Sequence, residues 1–359
     1  MSWKKNVRLV EPYVAGEQPS DPQIIKLNTN ECPYPPAPGV ARAAQTLAEE
    51  SARLRLYPDM NAAPLEEALC LRYGLSRDQI FVGNGSDDVL AMCFLTFFNG
   101  EEPIRFPDIT YSFYDVWASL YRIPYETAPL TPDFRLRPED YLPEQAGRRF
   151  GGIIFPNPNA PTGVEESQET IERIVAGNPD CVVIVDEAYV DFGAQSALPL
   201  IRKYENLLVV QTFSKSRAMA GMRIGYAMGS PALIRFLKDV KFSFNSYTIN
   251  LPSILLGTEA VRDEAYFQEI TGRIVSEREK FQENLRRMGF EFPESKANFV
   301  FARHPDIAGE QLFAALRERR ICVRHWNRPR IGDYLRITIG TPEQMEAVTR
   351  ALEEIVRGV

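Results

Sequence analysis

Leu207-Leu208-Val209-Val210-Gln211-Thr212-Phe213-Ser214-Lys215 is an apolar run that ends abruptly in polar residues and a lysine. A strand with one wet face alternates apolar and polar residues, whereas a strand buried on both faces of a parallel sheet does not. The run therefore reads as an inner strand of a mainly parallel sheet. The same form recurs upstream. Cys181-Val-Val-Ile-Val185 leads into Asp186-Glu187-Ala188-Tyr189, Gly152-Ile-Ile-Phe155 into Asn157-Pro158-Asn159, and Ile80-Phe-Val82 into Gly83-Asn84-Gly85-Ser86-Asp87. Helical stretches separate these runs, one of them from Asp87 to Phe98, as crossovers between parallel strands require. Residues 41–248 are thus expected to form one large α/β domain.

Further along the pattern changes. A charged helical stretch from roughly 262 to 288 precedes two strand candidates, Asn298-Phe-Val-Phe-Ala302 and Tyr334-Leu-Arg-Ile-Thr-Ile339. A closing helix covers about 342 to 356, so 249–359 reads as a smaller α+β domain. Residues 1–40 are rich in proline and polar residues and read as an extended arm. A chain of 359 residues exceeds the size at which a single core usually stops growing, which agrees with two cores.

Composition excludes several classes of function. The formal net charge is −7 and no basic run is present, which argues against a nucleic-acid partner. Cys32, Cys70, Cys93, Cys181 and Cys322 are scattered, as reduced thiols of a cytoplasmic protein would be. His304 and His325 are the only histidines, too few for a histidine-based metal centre. The start, Met1-Ser-Trp-Lys-Lys5, lacks the apolar stretch of a signal peptide, and no run is long enough to span a membrane.

In an open α/β sheet, ligands gather beyond the carboxyl ends of the strands, where these runs turn polar. The turn at Gly83–Asp87 can seat an anion on helix amides, or Ser86 or Asp87 can simply cap the helix. Asp186 can hold a proton on a pyridine nitrogen, with Tyr189 near the ring's phenolic oxygen, or the pair can be a cap and a packed ring. Lys215 is a candidate nucleophile and proton shuttle, and Ser214 with Arg223 a candidate phosphate grip. Asn159, in the turn Asn157-Pro-Asn-Ala-Pro-Thr-Gly163, is the one side chain there able to bond a ring oxygen.

The Gly-Asn-Gly-Ser-Asp turn, Pro-Asn-Ala-Pro-Thr-Gly, Asp-Glu-Ala-Tyr and Thr212-Phe-Ser-Lys-Ser-Arg-Ala-Met-Ala-Gly-Met-Arg-Ile-Gly-Tyr226 together resemble the fold-type I pyridoxal-phosphate aminotransferases, over nearly the whole chain. The resemblance implies a mainly parallel seven-stranded sheet with a second, smaller α+β domain. It implies pyridoxal 5′-phosphate as cofactor and Lys215 as its Schiff-base lysine. Asp186 would pair with the pyridine nitrogen, Tyr189 would bond the ring hydroxyl, and Tyr111 would stack on the ring. Gly85, Ser86, Asp87, Ser214 and Arg223 would hold the phosphate. Most of that superfamily has Asn directly before Pro-Thr-Gly, where this chain has Ala160; the ring contact falls to Asn159 or is missing.

Three further segments are most similar to the histidinol-phosphate aminotransferases: Lys26-Leu-Asn-Thr-Asn-Glu31, Arg55-Leu-Tyr-Pro-Asp59, and Tyr334-Leu-Arg-Ile-Thr-Ile-Gly340 preceded by Val323-Arg-His325. That likeness implies glutamate and histidinol phosphate as substrates. Arg336 would bind the α-carboxylate of glutamate, Arg324 the substrate phosphate, and Asn30 would lie near the substrate, with Arg328 and Arg330 unranked beside them. Tyr57 would reach the cofactor phosphate of a partner subunit, which requires a homodimer. Aromatic amino acid aminotransferases and threonine-phosphate decarboxylases share the scaffold and are the rival readings.

Overall fold

The computed structural model describes residues 3–14 and 16–358. The arm contributes a short strand, β1 (Ile25–Lys26). Seven strands then form the large sheet: β2 (Ile80–Gly83), β3 (Ile104–Pro107), β4 (Tyr125–Ala128), β5 (Gly152–Pro156), β6 (Val183–Asp186), β7 (Leu207–Thr212) and β8 (Gly225–Gly229). Their spatial order is β2-β8-β7-β6-β5-β3-β4. All neighbours pair in parallel except β8, which runs antiparallel to both β2 and β7.

Burial explains why the apolar runs do not alternate. In β7, Leu207 and Val209 join the core on one face of the sheet, while Leu208 and Val210 join the core on the other. Each face is covered, so both sets must be apolar. The expected helix after β2 runs Ser86–Phe97. Strand β2 was expected inside a parallel sheet, yet it lies at the edge and pairs only with the antiparallel β8. Strand β8 begins at the glycine of Arg-Ile-Gly-Tyr, and only a glycine fits there: a Cβ on Gly225 would stand 2.3 Å from the Ser86 nitrogen. Strands β3 and β4 left no continuous apolar run to read, because Arg105 interrupts the first and the second is a largely exposed edge.

The smaller unit holds β9 (Phe299–Ala302), β10 (Ile321–Cys322), β11 (Arg324–His325) and β12 (Leu335–Thr338). Strand β12 lies antiparallel between β11 and β9, and β1 pairs in parallel with β10. Leu27 sits in the core of this unit beside Phe281, Val300, Ile337 and Leu352, which fastens the arm to it. The charged stretch expected from roughly 262 to 288 is one helix, Glu264–Arg287, and a separate helix, Leu251–Arg262, precedes it. They meet at Asp263, whose carboxylate accepts from the Tyr266 amide at 3.1 Å and caps the longer one. Ile254, Leu256, Ala260 and Val261 still belong to a core of the large sheet. The Leu251–Arg262 helix, which falls within the expected 249–359 unit, thus packs with the larger one. Among the described residues, no helix is long and apolar enough to cross a membrane.

Candidate active site

Strands β5, β6 and β7 lie side by side and end together, so the residues just past them converge on one cavity of about 180 Å³. Asp186, the last residue of β6, sits at its floor and is 4% exposed. It accepts from the Tyr114 hydroxyl at 2.9 Å and from the Ala188 amide at 3.2 Å. Burial pushes its pKa up to about 6, against the pull of the Tyr114 hydrogen bond. A protonated nitrogen opposite would favour the carboxylate and relieve that cost. Tyr114 was not singled out in the sequence, since a tyrosine in a helix reads as ordinary core.

The opposite end of the cavity is built for an anion. Gly85 is the N-cap of the Ser86–Phe97 helix, with φ +92°, and makes no side-chain cap bond, which sets aside the reading of Ser86 or Asp87 as a cap. The amides of Ser86 and Asp87 precede the first intrahelical bond and point out of the helix end. The Arg223 guanidinium reaches the Asp87 carboxylate at 3.1 Å and the Ser214 hydroxyl at 3.4 Å. A Cβ on Gly85 would come within 2.5 Å of that guanidinium, so the close approach needs a glycine. Anion-binding amides, a hydroxyl and an arginine at one end and a buried carboxylate at the other fit a phosphate-bearing pyridine.

Lys215 lies between these ends. Its Nζ donates to the Thr29 carbonyl at 3.0 Å and stands 5.8 Å from the centre of the Tyr189 ring. Tyr189 packs edge-on against Phe299, and its hydroxyl accepts from the Asn30 amide at 2.9 Å. Tyr111 forms a wall, its hydroxyl donating to Asp87 at 2.8 Å. Of the two expectations for Asn159, that it makes the ring contact or that the contact is missing, its hydrogen bonds favour the second. Its amide donates to the Ile109 carbonyl at 3.1 Å and the Thr162 hydroxyl at 3.0 Å, and its backbone closes the turn with Gly163 and Val164. With its amide hydrogens given to Ile109 and Thr162, Asn159 has none for a ring oxygen, and Ala160 lines the cavity instead.

A larger outer cavity of about 440 Å³ shares Tyr111, Ala160, Tyr189 and Lys215 with the inner one. Arg336 and Arg324 both line it. They are paired directly across β11 and β12, so their side chains share a face. Two like charges held opposite one another repel unless an anion lies between them. The Arg336 guanidinium is sandwiched between the rings of Phe299 and Trp326, at 5.3 and 5.2 Å. It donates to the Asn28 carbonyl at 2.9 Å, while its Nε is buried without a partner among the described residues. Burial lowers its pKa, which an incoming carboxylate or phosphate would reverse. Arg324 also stands over the Trp326 ring, at 5.3 Å.

The two unranked arginines now separate. Arg330 is held by Asp108 at 2.9 Å and by the carbonyls of Leu130 and Thr131, whereas Arg328 lines the cavity with no side-chain partner among the described residues. Asn30 also lines this cavity, in a left-handed conformation with φ +56°. Tyr57 lies on neither cavity. It is 82% exposed and stacks on Tyr247 at 4.6 Å. Tyr13 and Trp326 line the outer cavity and were missed, because nothing in their sequence surroundings marks them.

Comparison with known proteins agrees with this geometry. The family model for aminotransferase class I and II matches residues 22–352. The chain is 52% identical to the histidinol-phosphate aminotransferase of Aromatoleum aromaticum over 355 residues, covering 99% of each. It shares its fold with the histidinol-phosphate aminotransferase of Sinorhizobium meliloti in complex with pyridoxal-5′-phosphate, with a TM-score of 0.85 at 22% identity, covering 93% of this chain and 91% of that one. The L-threonine-O-3-phosphate decarboxylase of Porphyromonas gingivalis also superimposes, with a TM-score of 0.76 at 21% identity over 93% of this chain and 100% of the other.

Proposed function

Because the chain belongs to the class I and II aminotransferases, which use pyridoxal 5′-phosphate, we propose that it is a histidinol-phosphate aminotransferase of histidine biosynthesis. It exchanges the amino group between glutamate and imidazole acetol phosphate, giving 2-oxoglutarate and L-histidinol phosphate, and the reverse is equally allowed. The observation that carries this reading is the facing pair Arg324 and Arg336 over the outer cavity, in a chain 52% identical to an enzyme of that name. One pocket must accept a dicarboxylate and then a phosphate ester, and arginine forks bind either oxyanion.

When bound, pyridoxal phosphate supplies an aldehyde and an electron-withdrawing ring that make an amino group transferable. The Lys215 Nζ would hold its aldehyde and would carry a proton to and from the substrate α-carbon. Asp186 would hold the proton on the ring nitrogen, and Tyr189 would donate to the ring oxygen. Tyr111 would stack on the ring, while the Ser86 and Asp87 amides, Ser214 and Arg223 would hold the phosphate. Arg336 orients the α-carboxylate of glutamate. Arg324 takes the phosphate of the second substrate, with Arg328 free to join it.

Single-turnover half-reactions test this directly. Adding L-histidinol phosphate to the loaded enzyme should bleach the visible cofactor band, and faster than phenylalanine does. Carbon dioxide release from a phosphorylated amino acid in place of transfer would refute the reading. Arg336→Ala should slow the glutamate half-reaction by about 10- to 100-fold, the worth of a charged hydrogen-bonded contact. Arg324→Ala should instead weaken the histidinol phosphate half-reaction more.

The working unit in this proposal is a cytoplasmic homodimer. Its support is the surface around Tyr57, where Leu54 and Leu56 are also more than half exposed. Sedimentation should give twice the chain mass. Tyr57→Phe should then weaken cofactor binding by about 10-fold while leaving the dimer intact, as loss of one bond to a charged phosphate would. A monomeric, fully active enzyme would overturn it.

A further inference from the structure

We propose that Asn30 is the positioning residue that aims the Tyr189 hydroxyl proton into the inner cavity, and that Thr338 fixes which way Asn30 faces. The inference rests on the reading above that Tyr189 meets the cofactor's ring oxygen. It goes beyond that reading by naming what orients the donor.

Three hydrogen bonds carry the argument. The Asn30 backbone amide donates to the Thr338 hydroxyl at 3.1 Å. Having accepted there, that hydroxyl gives its single proton to Asn30 Oδ1 at 2.9 Å. The oxygen side of the Asn30 amide is thereby committed to Thr338, and its NH₂ group is what faces Tyr189 Oη at 2.9 Å. An amide nitrogen only donates, so the phenol oxygen accepts and its own proton is not drawn toward Asn30. Tyr189 lines both cavities, and its proton is left to them.

The orienting unit is held firmly. Asn30 and Thr338 are buried, and the Asn30 carbonyl accepts from the Asn298 side chain at 3.0 Å. The left-handed backbone of Asn30 is one that asparagine tolerates better than most residues. The same short segment presents the Thr29 carbonyl to Lys215 and the Asn28 carbonyl to Arg336. Ala160 brings no donor to the ring, and Asn159 gives its amide hydrogens to the Ile109 carbonyl and the Thr162 hydroxyl. Tyr189 thus carries the ring-oxygen contact without help, and the direction of its one proton matters more than where a neighbouring amide shares the task.

The test is a pH titration of the visible absorption of the holoenzyme. As pH rises the lysine-linked chromophore loses a proton, and the form left behind carries negative charge on the ring oxygen. A donor aimed at that oxygen stabilises this form and lowers the midpoint. Tyr189→Phe should raise the midpoint by about one pH unit, the worth of one hydrogen bond to a charged oxygen. Asn30→Gly, which suits the left-handed backbone, should raise it in the same direction by part of that amount, and Thr338→Val by less. The double variant Asn30→Gly with Tyr189→Phe should move no further than Tyr189→Phe alone. An unchanged midpoint in Asn30→Gly overturns the inference, as does a shift that adds in full to that of Tyr189→Phe. If Asn30→Gly does not fold, an unchanged midpoint in Thr338→Val overturns it equally. A Tyr189→Phe enzyme with the native midpoint would instead sink the ring-contact reading on which the inference rests.

Discussion

Lys215→Ala enzyme is expected to lose turnover by on the order of 10⁴-fold or more, in both half-reactions alike. One side chain performs two tasks here, attaching to the cofactor and carrying the proton at the substrate α-carbon, so its removal forfeits both. No substitute base is at hand. Among the residues lining the inner and outer cavities there is no second lysine and no histidine. The carboxylates that line them are committed elsewhere: Asp87 to Arg223 and Tyr111, Asp186 to Tyr114, Glu31 to Lys26 and Thr29, and Asp108 to Arg330. Nor should the fold suffer, because the Nζ makes one hydrogen bond, to the Thr29 carbonyl. Rapid-mixing measurements with glutamate, beside a melting curve, check both halves of the expectation. A folded Lys215→Ala enzyme that turns over at the native rate would end the assignment.

The second large effect is expected at Asp186→Asn, a loss of about 10²- to 10³-fold in the glutamate half-reaction, with weaker cofactor binding. In the proposed function the buried carboxylate would face the ring nitrogen, and removing one partner of a buried ion pair costs about 3–5 kcal/mol. Asparagine keeps the shape and can still accept from Tyr114, so what is lost is charge. A pH experiment on cofactor-free protein gives an independent check. Burial raises the folded-state pKa of Asp186 to about 6, above its ordinary value of 3.8. The folded state then binds the proton more tightly, so this group's contribution to stability is fully present below pH 3.8 and is lost as pH rises through about 6. Asp186→Asn should remove that part of the pH dependence of the melting temperature. An unchanged glutamate rate, with an unchanged melting profile, would show that the carboxylate has no such role.

Much of the fold was legible because burial writes itself into composition. Strands β5, β6 and β7 are covered on both faces, so polar residues enter only at their carboxyl ends, as Asp186 does in β6 and Gln211-Thr212 in β7. Strands β3 and β4 escaped notice for the converse reason, one carrying Arg105 and the other forming an exposed edge. Strand β8 reads backwards against its neighbours, and its place depends on Gly225 passing within van der Waals distance of the Gly85 turn. Local sequence carries no mark of that approach.

The lysine on which the reading began, with Asp186, Tyr189, Ser214 and Arg223, was determined by the sequence alone. Each of these residues follows directly on a recognisable strand or motif, and chain connectivity then places them at the same end of one sheet. Tertiary structure decided the rest. Asn159 and Ala160 are adjacent in a turn, and only the bonds of Asn159 to Ile109 and Thr162 leave Ala160 as the one that lines the inner cavity. Arg324 and Arg336 come to line one cavity only through the register of β11 on β12. Asn30 and Thr338 lie 308 residues apart, and their contact forms because the arm is packed into the smaller core through Leu27. Pairings of that kind depend on how separate elements dock, which no run of neighbouring residues records.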